Sequence, residues 1–352
     1  MCFQLEEQGF TDIVKIDRDH SLQELDNALE TADFIYHLAG VNRPKNDDEF
    51  KQGNADLTAH IVIKLNELNR ATPILLTSSI QAEQSNLYGV SKAQAEDVVN
   101  EYGLQSQAKV YIYRLPNVFG KWCRPNYNSM VATFCHIVAN DLPLTINDPA
   151  AKVNLVYIDT VCEHFIHHLN YDEESGEQSI KPIYPTTVGQ VASALESFKE
   201  SKSSLITENV GSGFLRALYS TYISYYSPEQ FSYTVPAYTD PRGSFCELLK
   251  TKDAGQFSFF TAHPGVTRGG HYHHSKNEKF LVIKGQAKFR FEHISTGESY
   301  ELDVTGDDYR VVETVPGWTH DVTNIGDSEL IVMLWANEIF DRERPDTFAK
   351  PL

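Results

Sequence analysis

Gly270-His271-Tyr272-His273-His274-Ser275-Lys276-Asn277-Glu278 is the stretch on which the fold turns. Strand side chains alternate, so His271 and His273 fall on one face of a strand. Glu278 follows a few residues on. A further histidine, His320, sits in Pro316-Gly317-Trp318-Thr319-His320-Asp321-Val322-Thr323-Asn324. Two imidazoles, a carboxylate and an imidazole from a later strand can close a compact N/O metal site. Around this run the chain has a β character. Phe257–Phe260, Lys279–Gly285, Ala287–Glu292 and Glu329–Ala336 read as short strands between Gly, Asp and Pro turns. Many short strands of this kind predict a small β-barrel or jelly roll.

Upstream the pattern is different. Thr11–Asp17, Phe34–Leu38, Pro73–Ser79 and Val110–Arg114 read as strands. Leu22–Leu29, Ala59–Asn69 and Ser91–Glu101 have helical spacing. Strands alternating with helices predict parallel βαβ units in a doubly wound sheet. The chain therefore reads as α/β followed by all-β, with the boundary at 232/233. The junction Tyr219–Asp240 is too aromatic for a flexible linker and is expected to pack against a domain.

Composition narrows the function. The chain has 352 residues, 41% of them apolar, and a net charge of −18 from 48 acidic and 30 basic residues. Two domains are a fair expectation at this length. The charge argues against nucleic acid as a partner. No apolar run approaches the ~18 residues that span a bilayer, so no membrane insertion is expected. The N-terminus lacks a basic and apolar leader pattern, and the five cysteines form no Cys-x-x-Cys pair. Both point to a reducing cytoplasm.

Tyr88-Gly89-Val90-Ser91-Lys92 places a phenol and an ammonium four apart on one helix face. Such a lysine lowers the pKa of the phenol and holds a nicotinamide ribose. The phenol then protonates a carbonyl that accepts hydride. A serine at the end of the preceding strand can hydrogen-bond that carbonyl; Ser79 is the first choice and Ser78 the second. With His37-Leu38-Ala39-Gly40, Thr77-Ser78-Ser79 and Arg114-Leu115-Pro116-Asn117-Val118-Phe119-Gly120 in order, this half resembles the extended short-chain dehydrogenase/reductases, which act on nucleotide sugars. The resemblance spans residues 10 to 200. It implies a catalytic trio of Ser79, Tyr88 and Lys92, and pockets lined by Leu38, Ala39, Gly40, Pro116 and Asn117. It places Lys121, Trp122, Asn126, Tyr127 and Asn128 where that family grips the sugar nucleotide.

One departure stands out. The family opens with a strand and a Gly-x-x-Gly-x-x-Gly loop that holds the pyrophosphate, whereas Gly9 is the only glycine here before Gly40. The first residues read as the end of the helix after that loop. The expected domain is thus a Rossmann-type sheet, N-terminally truncated, with weak or no dinucleotide binding by the chain as it stands. Arg18, after the second strand, favours a 2′-phosphate and hence NADPH, while Asp17 beside it pulls the other way.

The spacing His271-x-His273-x4-Glu278-x6-Gly285, then Pro316-Gly317-x2-His320-x3-Asn324, resembles the two motifs of the cupins. It implies one divalent metal held by His271, His273, Glu278 and His320, with zinc expected and iron and manganese also suited to such ligands. Asp240-Pro241-Arg242-Gly243 and Arg268-Gly269-Gly270-His271 are similar to the deoxysugar-nucleotide 3,5-epimerase branch of the cupins. There the position of His271 is a base beside a ketone, so His271 stands as either ligand or base, and Arg242 and Arg268 as substrate contacts. His274 is expected at the periphery of the site or exposed, and His293 to be structural. A non-catalytic dimerisation or sugar-binding barrel and an iron oxygenase are the alternatives.

The whole chain resembles the bifunctional capsular-polysaccharide precursor enzymes of bacteria (CapF-like). That resemblance rests on His37-Leu38-Ala39-Gly40-Val41-Asn42-Arg43-Pro44, Asn337-Glu338 and Pro345-Asp346-Thr347 as well. It implies a UDP-2-acetamido-2,6-dideoxy-4-hexulose substrate, C3 epimerisation in the cupin and NADPH-dependent C4 reduction in the reductase. It also implies a homodimer.

Overall fold

The computed structural model describes the chain apart from residues 172, 236, 241–242, 247–248, 252–254 and 339–342, and apart from the side chains of 237–240, 243–246, 250–251 and 256–258. The described residues cluster into two compact units: Met1–Val118 with Asn154–Tyr184, and Phe119–Val153 with Pro185–Leu352. The second unit thus takes in segments upstream of residue 232 as well as the β-rich region.

In the first unit four strands run parallel, in the order Ile35–His37, Ile74–Ser79, Val110–Leu115, Gly176–Gln178. Alternation decides what covers each face. Ile74, Leu76, Val110 and Ile112 point one way, onto Leu29, Ile61, Leu65, Val99 and Tyr102 of the helices Leu22–Thr31, Leu57–Glu67 and Leu87–Ser106. Leu75, Tyr111 and Tyr113 point the other way, onto Val161 and Phe165 of the helix Ile158–Asn170. A parallel sheet covered on both faces is the doubly wound arrangement expected.

Two elements differ from expectation. Residues 10–17 carry no regular structure, although Thr11–Asp17 alternates like a strand. Val14 is 62% exposed and no described strand pairs with this segment, so the local pattern has no ladder to complete. The helix Leu57–Glu67 is preceded by a π-helical turn, Lys51–Asp56, which buries Asn54. Such turns interrupt the ordinary hydrogen-bond ladder and often mark functional positions.

The second unit contains two five-stranded sheets. One has the order Gln256–Ala262, Leu330–Ala336, Glu278–Lys284, Arg310–Glu313, Ser232–Thr234. The other has the order Ser299–Thr305, Gln286–His293, Trp318–Asn324, Thr267–Tyr272, Phe348–Ala349. Their paired strands are antiparallel. Inward residues such as Phe280, Val282, Phe289, Phe291, Val332 and Trp335 are almost wholly buried. This is the jelly-roll barrel of the cupin class.

The aromatic junction packs as its composition predicts. Tyr219, Tyr222, Tyr226 and Phe231 are buried, and Phe231 meets Phe291, Tyr300 and Trp318 of the barrel edge-on. Beneath it, Lys279 and Glu313 form a fully buried ion pair, joined by Lys202 at 3.7 Å and by the hydroxyl of Tyr219, which donates to Glu313 at 3.2 Å.

Candidate functional sites

In the first unit Asn86 starts the important helix. Its side chain accepts from the Gly89 N–H at 2.8 Å, which fixes the first turn of Leu87–Ser106. Tyr88 and Lys92 follow one turn apart. Ser79 ends the neighbouring strand, is buried, and accepts from the Gln81 N–H at 3.2 Å. Burial pushes the Tyr88 phenol up, and a hydrogen bond with Ser79 pulls against it. Tyr88 and Ser79 are therefore neighbours, and the phenol keeps its proton at neutral pH.

Lys92 is buried, and its Nζ donates to the Thr77 carbonyl at 2.7 Å. Burial lowers its pKa to about 8, with Glu96 opposing. Gly40 closes the other side. A Cβ there would lie 2.8 Å from Asn54 Oδ1 and 3.1 Å from Lys92 Nζ. The backbone of residue 40 can approach the lysine this closely only as glycine. Asn54 in turn accepts from Val41 N–H at 2.8 Å and donates to Ser91 Oγ at 2.9 Å, tying the π-turn to the helix Leu87–Ser106.

Behind Lys92 lies a network that motif reading missed. Glu96 is buried; it accepts a short hydrogen bond from Ser78 and a bidentate one from Arg114, with Nη2 at 2.6 Å. This gives Ser78 a partner and leaves Ser79 for the Tyr88 side. The signal was present in the sequence: Glu96 follows Lys92 by one helical turn.

The remaining residues expected in the reductase pocket are placed as follows. Pro116 is buried and Leu38, Ala39 and Asn117 are exposed. Arg18 is exposed and lies 3.8 Å from Asp19. Lys121, Trp122, Asn126, Tyr127 and Asn128 belong to the second unit. There Gly317, at φ +80°, sits so close to Trp122 that a Cβ would lie 2.6 Å from the indole. The same Gly317 N–H donates to the His273 carbonyl at 3.0 Å.

The histidine run forms the second site. His271 pairs directly with His320 across adjacent antiparallel strands. His273 is two residues on, and Glu278 opens a strand of the facing sheet. The ligand atoms of His271, His273, Glu278 and His320 all lie within 4.8 Å of one another. Glu278 Oε2 is 3.2 Å from His273 Nε2 and 3.4 Å from His320 Nε2. Metal–ligand bonds of 2.0–2.1 Å set tetrahedral ligand–ligand edges of about 3.3 Å, which the two Glu278–imidazole distances match while the full set spreads to 4.8 Å. Among the described residues neither ring nitrogen of the buried His320 makes a well-formed hydrogen bond, Glu278 Oε2 being the near neighbour of Nε2. An orphaned imidazole beside a carboxylate fits a cation.

Burial, reinforced by the two neighbouring imidazoles, lowers His271 to about 3, so it is neutral at physiological pH. A neutral imidazole suits a ligand and a base alike. His273 Nδ1–H donates to the Asp346 carbonyl at 2.5 Å, which turns Nε2 toward Glu278 Oε2 at 3.2 Å. Asp346 also accepts from the N–H groups of His274, Ser275 and Lys276 at 2.8, 2.7 and 2.6 Å. His274 is buried beside Tyr272 and Phe348, not exposed. His293 accepts the Thr296 N–H through Nδ1 at 3.1 Å and meets Trp318 edge-on, contacts that serve packing. Arg268 is exposed, with its guanidinium over Phe260. Arg242 lies outside the described residues.

Comparison with known proteins agrees with both halves. A family profile described as Polysaccharide biosynthesis C-terminal domain matches residues 238–348. An NAD-binding profile described as Male sterility protein matches residues 70–165. The UDP-2-acetamido-2,6-beta-L-arabino-hexul-4-ose reductase of Pseudomonas aeruginosa (strain PA103) is 53% identical over 350 residues, 99% of this chain and 94% of that protein. Among solved structures, the capsular polysaccharide assembling protein CapF from Staphylococcus aureus is 40% identical with a TM-score of 0.67, covering 100% of this chain and 96% of that one. CapF with the inhibitor 3-isopropenyl-tropolone is 35% identical with a TM-score of 0.61 at the same coverage.

Proposed function

Since the chain belongs to the CapF-like family of nucleotide-sugar enzymes, we propose that it epimerises and then reduces a UDP-2-acetamido-2,6-dideoxy-4-hexulose. The product is UDP-N-acetyl-6-deoxy-talosamine, on the route to UDP-N-acetyl-L-fucosamine for surface polysaccharide. The observation that carries this reading is the presence in one chain of two sites suited to one ketone. The first pairs Tyr88 with Ser79 and a buried Lys92. The second gathers three imidazoles and a carboxylate.

The chemistry is sequential. The C4 carbonyl acidifies the C3 proton, so a base at the barrel site can remove it and a proton can return on the other face. His271, neutral in its buried setting, is the candidate base; His273, Glu278 and His320 are then the candidate ligands of a divalent metal, zinc by preference. Such an ion supplies Lewis-acid stabilisation of the oxygen beside the carbanion. At the reductase site bound NADPH would supply hydride to C4, with weak occupancy where no Gly-x-x-Gly-x-x-Gly loop holds its pyrophosphate. Tyr88 gives its proton to the C4 oxygen, Ser79 orients that oxygen, and Lys92 holds the cofactor ribose and keeps the phenolate favourable. Gly40, with Leu38, Ala39 and Pro116, forms the nicotinamide pocket; Arg18 faces the adenosine ribose. Asn117, Lys121, Trp122, Asn126, Tyr127, Asn128, Arg242 and Arg268 are proposed to contact the sugar nucleotide. Reduction removes the ketone and so locks the new C3 configuration.

By chemistry the chain divides into reductase, 1–232, and cupin, 233–352. No helix among the described residues is long and apolar enough to cross a membrane. A cytoplasmic homodimer working on soluble UDP-sugar is our reading.

The test is a pair of variants. Tyr88→Phe abolishes reduction while solvent deuterium still enters C3. His320→Ala strips metal and stops exchange. Joint loss of both activities in Tyr88→Phe counts against separate sites, and unchanged metal content in His320→Ala sinks the ligand assignment.

A further inference from the structure

The barrel site contains a residue that neither motif nor family assigns. Lys276 is 7% exposed, and its Nζ lies 2.9 Å from Glu278 Oε1. The two carboxylate oxygens are thus divided. Oε2 faces the Nε2 atoms of His273 and His320, and Oε1 faces an ammonium. The division is built in. The Lys276 N–H is held by Asp346 at 2.6 Å, and the Ser275 hydroxyl accepts from Arg216 at 2.6 Å. Asn277 donates to the Ser275 carbonyl at 2.8 Å, and its own N–H donates to Asn337 at 3.0 Å. The turn that carries the lysine is therefore fastened on both sides.

A buried ammonium beside a cation site is costly, since like charges repel strongly away from water. Placed for stability alone, it would weaken the site it adjoins. Carboxylates bind divalent ions through one oxygen or two. An ammonium on one oxygen leaves the other as the sole ligand. We propose that Lys276 is a positioning residue that holds Glu278 to single-oxygen ligation and so keeps a coordination position open for the oxygen of the substrate. The proposal rests on the metal-centre reading above.

The experiment uses the full chain loaded with cobalt(II), whose visible absorption weakens as coordination number rises. Lys276→Met, Lys276→Gln and Lys276→Arg are compared by chelator competition, by the cobalt spectrum and by deuterium entry at C3. The neutral variants are expected to keep cobalt at least as tightly as the parent, because a repelling charge is gone. Their cobalt band weakens as Glu278 takes a second position, and exchange falls on the order of 10²-fold. Lys276→Arg restores the band. If Lys276→Met or Lys276→Gln loses cobalt affinity more than about tenfold, in the range of a lost outer-shell support, the lysine is a scaffold and the proposal fails. An unchanged band in both neutral variants also overturns it. Failure of the parent chain itself to take up cobalt overturns the metal centre, and the proposal with it, and is told apart by needing no variant.

Discussion

Replacing Asp346 by asparagine tests how the metal-site turn is held. Asp346 Oδ2 accepts from the N–H groups of Ser275 and Lys276 and from the Ser275 hydroxyl, at 2.7, 2.6 and 2.9 Å; Oδ1 accepts from His274 N–H at 2.8 Å. The side chain is only 14% exposed. Burial raises the carboxyl pKa, but the field of His273 and the three backbone N–H groups outweigh it, and the group is held at about 2 against an ordinary 3.8. That difference, 3.8 − 2 or about 1.8 pH units at ~1.36 kcal/mol each, corresponds to ~2.4 kcal/mol of stability at neutral pH. Hydrogen-bond bookkeeping gives a similar size: an amide keeps its oxygen on the Ser275 and Lys276 side and turns its NH2 toward the His274 N–H, one donor costing about 1–3 kcal/mol when left unsatisfied. The sign follows from the depressed pKa. The contribution is complete above about pH 4 and is lost as pH falls toward 2. The assay is urea unfolding of metal-free protein at pH 7, followed by tryptophan fluorescence, with the slope unchanged. Asp346→Asn should lose about 2–3 kcal/mol, and its stability should vary less between pH 4 and 2 than that of the parent. Metal affinity should fall 10–100-fold, as for other outer-shell supports. A loss below about 1 kcal/mol would refute the reasoning, because the turn would then be held by its other bonds.

Three further outcomes follow from the same geometry. Glu313→Leu should cost about 3–5 kcal/mol, more than Lys279→Met, because the stranded Lys279 ammonium meets neutral phenols such as Tyr233 OH at 3.2 Å while the stranded Glu313 keeps the cation Lys202 as well as Tyr219; the double variant should recover much of the loss in urea unfolding, and strict additivity would contradict this. Glu96→Gln removes the group that holds the Lys92 pKa up to about 8, so the alkaline limb of kcat/KM for NADPH oxidation should move to lower pH; an unmoved limb in a folded variant rejects the coupling. Gly40→Ala puts a methyl group 2.8 Å from Asn54 Oδ1 and should raise KM for NADPH at least tenfold while deuterium exchange at C3 continues; loss of exchange as well would show a general folding defect.

What the sequence made legible was what periodicity controls. The alternation of His271 and His273 predicts a shared face, and the structure pairs His271 with His320 across the ladder. The four-residue spacing of Tyr88 and Lys92 needs only a helix, which Asn86 starts. Thr11–Asp17 misleads because alternation describes a strand's faces and says nothing of whether a partner strand exists to pair with it. Lys276 stands inside the histidine run and Glu96 one helical turn beyond the Tyr-x-x-x-Lys motif, yet neither carries a pattern that reads out its partner. Their meaning lies in which oxygen they take, and that is set by side-chain geometry. Asp346 is 70 residues from Lys276 in sequence, beyond the reach of any local pattern. The packing of Trp122 on Gly317 depends on a turn almost 200 residues later, which no local pattern around Trp122 reveals.

The strand Phe348–Ala349 has a consequence for resistance to proteolysis. It lies at the edge of its sheet and pairs with His271 and Tyr272, and the nearby Asp346 carbonyl orients His273. So short an edge ladder can open locally while the rest of the barrel stays folded. A protease that cuts in such an opening would remove the carbonyl that orients His273 and leave the inner strands paired, so cation uptake would fall in a barrel that still resists urea.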